Sequence, residues 1–229
     1  MNDKNSNIKP IWQPGSKISP PIAMEFHTIN PANLTSQDIY RILINTIIPR
    51  PIAFVSTQSK NGKNNLAPFS FFNGVSSNPA ALMISIGVKS DGTLKDTLRN
   101  IEETGEFVVN SANHWLIDPL VYSAGNFPED IDEMTLTGLT PLASEIVKAP
   151  RVQESAFQYE CTVYNKMQIG DGSPGSCTMV VGKIERMHIA ESIYNQGRIN
   201  PKDLQPIGRL GGISYTTIGD IFEIAIPKV

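Results

Sequence analysis

A proline inside an apolar strand pattern restricts this chain more than any other single feature. Residues 51–57 (PIAFVST) form a short run rich in Ile, Phe and Val, as a buried strand requires. Asn61-Gly62 follows, a pair that tolerates the positive dihedrals of a tight hairpin turn. The returning strand starts near Asn65 and meets Pro68, which has no N–H to give to a ladder. That strand is therefore an edge, is bulged, or breaks at Pro68. Ala67, Pro68, Phe69, Ser70, Phe71, Phe72 and Asn73 surround the break, so aromatics, a hydroxyl and an amide meet where backbone polar groups leave the sheet. Such a place suits a flat ring with a polar edge; equally, it reads as a bend whose phenylalanines fill the core.

Short strands dominate the remainder. Pro10, Pro14, Pro20 and Pro21 keep the first residues irregular, which predicts an arm over 1–24 ahead of one domain over 25–229. Trp12 in that arm packs on a partner subunit or lies in a loose tail. Thr35 or Ser36 caps a short helix with Ile39, Ile42 and Leu43 on its apolar side. A turn at Ser76-Ser77-Asn78-Pro79 leads into a buried strand over 81–86. Thr93 reads as the N-cap of a second helix, with Asp96 as a short-armed capping box and Gly105 as the stop. Strand follows over 106–110, and a helix weakened by Pro119 over 115–124. The acidic stretch 126–142 is expected as a loop: solvated surface, a lid or a subunit contact.

Residues 157–169 alternate well enough for a long strand, with Tyr159, Cys161 and Val163 on one side. Its return runs over 176–189, bent at Gly182. A glycine-bearing turn over 206–215 and a last strand over 221–226 complete the pattern. Many strands and few helices predict a mainly β fold with α decoration, a barrel or sandwich rather than alternating parallel β/α units.

Composition excludes several classes. The chain's 229 residues, 40% hydrophobic and 18% charged, suffice for a full core and rule out a disordered chain. A net charge of -3 gives no general attraction to nucleic acid or to an anionic membrane. Cys161 and Cys177 form no CxxC pair and are expected as reduced thiols. His27, His114 and His188 are too widely spaced for a metal pattern. No apolar run approaches the roughly 20 residues of a membrane span, and MNDKNSNIKP lacks a signal peptide's apolar core. A soluble cytoplasmic protein is the expectation.

Several blocks stand in an order that resembles one family: Arg50-Pro51-Ile52-Ala53, Ser56-Thr57, the run from Asn65 to Asn73, and Lys95-Asp96-Thr97-Leu98-Arg99-Asn100. The chain is similar to the flavin reductase-like family, whose fold is an FMN-binding split β-barrel of Greek-key type. Pro79-Ala80 and Phe54 depart from the family's frequent proline pair and tryptophan, leaving the phosphate candidates untouched. The resemblance implies FMN as cofactor, NADH or NADPH as co-substrate, and a homodimer. For the phosphate it points to Arg50, Ser56, Thr57, Lys95 and Thr97, the last two in the opening turn of the second helix. Asp96 is then assigned to capping amides. For the ring it points to Ala67, Pro68, Phe69, Ser70, Phe71 and Asn73, with Ser85 lining the same cavity. Arg209, Gly211 and Gly212 match a closing C-terminal block, contributed by the same chain or a neighbour.

No catalytic residue is expected, since the cofactor carries the chemistry, and no metal. Two functions follow: an NAD(P)H-dependent flavin oxidoreductase, or a non-enzymatic FMN electron carrier or binding module of the flavoredoxin kind. The PRPIA and KDTLRN blocks argue against an oxidase of the pyridoxamine-phosphate type.

Overall fold

The computed structural model describes residues 14–20, 22 and 24–227; Trp12 lies outside them. Helix α1 (Ser36–Thr46) comes first, followed by strands β1 (Ala53–Gln58), β2 (Asn64–Phe69), β3 (Phe72–Ser77) and β4 (Ala80–Gly87). Helix α2 (Asp96–Thr104), strand β5 (Glu106–Ser111), helices α3 (Ile117–Tyr122) and α4 (Glu133–Thr137) and the small pair β6 (Pro141–Leu142) and β7 (Arg151–Val152) come next. The long hairpin β8 (Phe157–Ile169) and β9 (Cys177–Ile189) precedes β10 (Tyr194–Asn195), β11 (Arg198–Ile199), α5 (Pro201–Leu204), β12 (Ile207–Arg209) and β13 (Tyr215–Thr217).

Seven strands make one antiparallel sheet in the order β2-β1-β5-β8-β9-β4-β3. β2 and β3 are consecutive in the chain yet occupy opposite edges of that sheet. Three residue steps, from Phe69 to Phe72, span about 11 Å at most, whereas seven flat strands would hold their edges about 29 Å apart. The sheet must therefore curl until its edges meet, which gives a barrel split between β2 and β3. β5 returns beside β1 rather than beside β4, the crossing that the Greek-key expectation calls for.

Proline placement explains the edge. Leu66 N–H points away from β1 and donates to Glu133 at 2.9 Å. Two residues on, Pro68 faces the same open side, where a missing N–H costs no ladder bond. Of the three options open from sequence, the edge strand is the one realised.

Alternation divides the apolar side chains between two cores. Ala53, Val55, Phe69, Leu82, Ile84, Ile86, Phe107, Val109 and Val180 fill the barrel, and α2 closes it with Leu98 and Ile101. Phe54, Leu66, Leu116, Leu120, Met134 and Ile207 form the second core on the barrel's outer side. Cys161 is buried in the barrel, where burial above all, then Glu185 and Glu160, pushes its thiol pKa up and keeps it inert.

Several local expectations change. Thr93 does not cap α2: its N–H and hydroxyl both bond Asp91, and Lys95 is the N-cap residue, with no side-chain cap bond. The expected acidic loop contains α4, capped by Asp132, because Met134 and Leu139 have apolar surface to bury against α3 and β2. Residues 221–226 form no strand and pair with none among the described residues. Helix α3 is shorter than 115–124, with a 3-10 turn over His114–Leu116 ahead of it. Among the described residues no helix is long and apolar enough to cross a membrane.

Gly182 allows a close approach inside the barrel, since a Cβ there would overlap the ring of Phe107. Gly182→Ala should cost about 1–3 kcal/mol through overpacking. Adding Phe107→Leu should recover part of that loss in urea unfolding; additive losses would show that the overlap is not the cause.

Candidate functional site

Strand β1 presents Thr57 toward the barrel, and β2 presents Asn65 directly opposite it. Helix α2 lays Thr97 and Asn100 over the pair. Asn65 Nδ2 donates to Thr57 Oγ1 at 3.2 Å and to Thr97 Oγ1 at 2.9 Å, and Asn100 Nδ2 donates to Thr57 Oγ1 at 3.0 Å. All four residues are buried, so these bonds answer groups that water cannot reach. They fix the N-terminal turn of α2 against the end of the barrel.

Lys95 projects from that turn. Its Nζ lies 5.9 Å from the centroid of the Phe69 ring, a distance at which an ammonium is attracted to the ring face. Among the described residues no carboxylate lies within ion-pair distance of it. Asp96, expected to cap amides, instead pairs with Lys89 at 3.2 Å and with Arg99 one turn on. The neighbouring carboxylate is thus answered twice, and Lys95 keeps its charge available. Burial first, then Lys89, lowers the Lys95 pKa. A partly desolvated cation beside free helix amides is a ready anion site.

Beyond Phe69 the chain turns at Ser70 and Phe71. Ser85 N–H donates to Phe71 O at 2.8 Å, so β4 holds the turn. Arg50 donates from Nε to Ser70 Oγ at 3.3 Å and lies over the Phe71 ring, 5.9 Å from its centroid. The Arg50 and Arg209 backbones pair in both directions, at 3.0 and 2.8 Å. Ala67, Phe69, Ser70, Phe71, Ser85, Lys95 and Thr97 therefore form one continuous tract, with Arg50 and Arg209 behind it.

Other expected residues are placed differently. Arg50 is 4% exposed, and its guanidinium donates to Ile44 O, Ile47 O and Leu210 O as well as to Ser70. With those bonds made, it holds protein elements together and is not turned toward a phosphate. Ser56 lies on the opposite face of β1 from Thr57, fully buried, its hydroxyl donating to Pro150 O and accepting from Asn110. The strand period of two separates these neighbours. The Arg209 guanidinium stacks on Tyr215 at 4.3 Å and donates to Gly212 O at 2.6 Å, turned onto its own hairpin. Pro68 sits on the strand edge, and Asn73 is exposed opposite Met83. An open cleft of about 440 Å³ lies elsewhere, between the Ser59–Lys63 turn, α2 and Glu129, and none of the expected ligands lines it. Asn65 and Asn100 were not among the expected ligands, although both stand inside the blocks that carry the resemblance.

Comparison with known proteins decides the family. The model of the flavin reductase like domain matches residues 45–202. The chain belongs to the flavin reductase-like family. It is accordingly a flavin-binding protein of the oxidoreductase type. Relatives include a protein of Halalkalibacterium halodurans, 38% identical over 88% of this chain and 97% of its own length. YwrF of Bacillus subtilis is 37% identical over 85% of this chain and 96% of its own. Among solved structures, nitrilotriacetate monooxygenase component B from Bacillus cereus superposes with a TM-score of 0.84 at 38% identity, over 88% of this chain and all of that one (100%). 2-Nitrobenzoate 2-nitroreductase NbaA of Pseudomonas fluorescens gives 0.78 at 28%, over 88% and 96%. Flavoredoxin from Methanosarcina acetivorans gives 0.71 at 25%, over 89% and 96%. The split barrel expected from the sequence is the fold of this family member.

The Asn65 amide is the hinge of the buried polar cluster. Asn65→Leu should destabilise this flavin reductase-like chain by about 1–3 kcal/mol, the cost of buried polar atoms left short of partners. Urea unfolding measures it; a neutral result would show that Thr57 and Thr97 find other donors.

Proposed function

We propose that the chain binds FMN and passes hydride to it from NADH or NADPH. One observation carries the reading: Lys95, half-buried at the start of α2 and beside Phe69, has no carboxylate within ion-pair distance among the described residues and stands next to the opening amides of the helix. These features fit the phosphate of a mononucleotide. In this reading Lys95 and the adjacent turn of α2 hold the phosphate, and Thr97, buried and accepting from Asn65, fixes that turn. Ala67, Phe69, Ser70 and Phe71 border the ring, with Ser85 behind them.

Bound flavin supplies the hydride chemistry itself. The chain's own residues bind, orient and exclude water. Ser70 Oγ accepts from Arg50, so its O–H remains available to donate to an acceptor on the ring's polar edge. Phe71, partly exposed, offers apolar surface for the ring system, next to Phe69, which is buried in the barrel. No general acid or base is assigned.

A homodimer belongs to the same reading. No side chain of helix α1 is fully buried, and Tyr40, Ile42 and Leu43 on it, with Ile47 and Ile48 just after it, are exposed. An eleven-residue helix is marginal in water without tertiary cover. Two free thiols suit a reducing, cytoplasmic setting. Residues 25–229 act as the functional unit.

Resemblance to a flavoredoxin supports a second reading, a carrier reduced by a protein donor. Adding NADH or NADPH to flavin-loaded protein without oxygen separates the two. Fast bleaching of the flavin bands is expected for the reductase; bleaching by dithionite alone would favour the carrier.

Lys95→Ala should weaken FMN binding by about 2 kcal/mol, roughly 30-fold, as for a lost charged hydrogen bond, and leave riboflavin binding nearly unchanged. The ammonium binds an anion only while protonated. Above neutrality, where the phosphate is already a dianion, FMN affinity should fall as pH rises through the lowered Lys95 pKa. The fall should begin below the ordinary lysine value of about 10.4. Lys95→Arg should flatten this profile in fluorescence titrations. Light scattering tests the dimer; a monomer at micromolar concentration would remove it.

A further inference from the structure

Arg50 was expected at the phosphate, and the structure gives it a different setting. Its side chain reaches three separate parts of the fold. Nη1 donates to Ile44 O at 2.7 Å and to Ile47 O at 2.8 Å, carbonyls at the C-terminal end of α1. These carbonyls have lost their helical partners, and the negative end of the helix dipole faces the guanidinium. Nη2 donates to Leu210 O at 3.0 Å, in the turn between β12 and β13. Nε donates to Ser70 Oγ at 3.3 Å, and Phe71 lies under the guanidinium.

Among the described residues no carboxylate pairs with Arg50. The charge is answered by carbonyl dipoles, a hydroxyl and an aromatic face. Burial lowers the Arg50 pKa, yet a guanidinium remains charged at any working pH.

Other ties follow the same three-way pattern. Tyr40 of α1 stands 6.3 Å from the Phe71 ring. Asn45 of α1 packs so tightly on Gly211 that a Cβ there would overlap its amide. No side chain of α1 is fully buried in this chain, and Arg50 adds hydrogen bonds to the contacts that attach the helix.

We infer that Arg50 is a positioning residue that couples the ring segment Ser70-Phe71 to α1 and to the 209–215 turn, so that flavin binding and the ordering of these two elements favour each other. The inference rests on the flavin site proposed above and adds what that site is linked to. A bound ring that fixes Ser70 and Phe71 fixes the Nε acceptor and the surface beneath the guanidinium. The remaining N–H groups are then aligned on α1 and Leu210. The linkage is reciprocal: whatever orders α1 raises flavin affinity. Lysine cannot replace this arrangement, because an ammonium on a single stem lacks the planar fork that reaches several acceptors at once.

The test uses the full chain, FMN and riboflavin. In the wild type, FMN should slow amide exchange over 36–46 and 209–215 as well as over the segments touching it. Arg50→Lys should weaken FMN and riboflavin by the same factor, roughly 30-fold, the worth of one charged hydrogen bond, shift the bound flavin's visible bands, and remove the added protection over 36–46. A loss confined to FMN would mean direct phosphate contact and would overturn the inference. So would wild-type affinity with protection retained. If Arg50→Lys does not fold, the wild-type exchange pattern decides: protection limited to the segments around 65–73 and 93–100 overturns the coupling. Failure of the wild type to bind either flavin would remove the site beneath the inference, and the inference with it. Tight binding without spread of protection removes the inference alone.

Discussion

Two residues, Ser70 and Phe71, join strands that lie at opposite edges of the same sheet, and this short connection governs the rest of the molecule. A chain that short cannot cross a flat seven-stranded sheet. Closure follows, and with it the burial of Phe69, Ile84, Phe107 and Val180 in one interior. The closure is incomplete because β2 and β3 do not pair with each other. Its open seam leaves backbone groups of β2 outside any ladder, where Glu133 takes Leu66 N–H and Pro68 needs no partner.

Helix α2 packs over this seam and carries part of the tract proposed to bind flavin. Its apolar side, Leu98 and Ile101, stops the barrel, while its first turn carries polar groups. Thr57, Asn65, Thr97 and Asn100 satisfy one another and set the height of that turn. Asp96 is drawn aside by Lys89 and Arg99. Lys95 is left to face Phe69 with no carboxylate within ion-pair distance among the described residues, and a cation in this position is costly unless something answers it. The exposed apolar face of α1 is a second unanswered surface, adjacent to the same seam. Arg50 ties the two together through carbonyls at the end of the helix and the hydroxyl of Ser70.

Much of this was legible in the chain. Period-two alternation gave the β8 span over 157–169 as it stands, and a glycine with positive φ ended α2 at Gly105 as expected. Pro68 marked the open edge. What failed did so for local reasons. Thr93 is a good capping residue by type, but Asp91 two residues earlier offers its hydroxyl a closer partner. The 126–142 stretch is acidic enough to pass for solvated loop, and its two buried apolar residues, Met134 and Leu139, are too few to signal a helix without the core they fill.

The sequence by itself determined the strand-rich class, the broken edge strand and the blocks that mark the family, because period, proline and glycine act over a few residues. Only the tertiary structure decided which polar side chains face one another. Ser56 and Thr57 are neighbours in the chain, yet pleating sends one to Pro150 and the other to Asn65. Arg50 carries the charge a phosphate wants, yet the end of α1 and Leu210, 160 residues further along, take its donors first. Chain spacing does not encode such choices; they depend on which carbonyls packing leaves without partners.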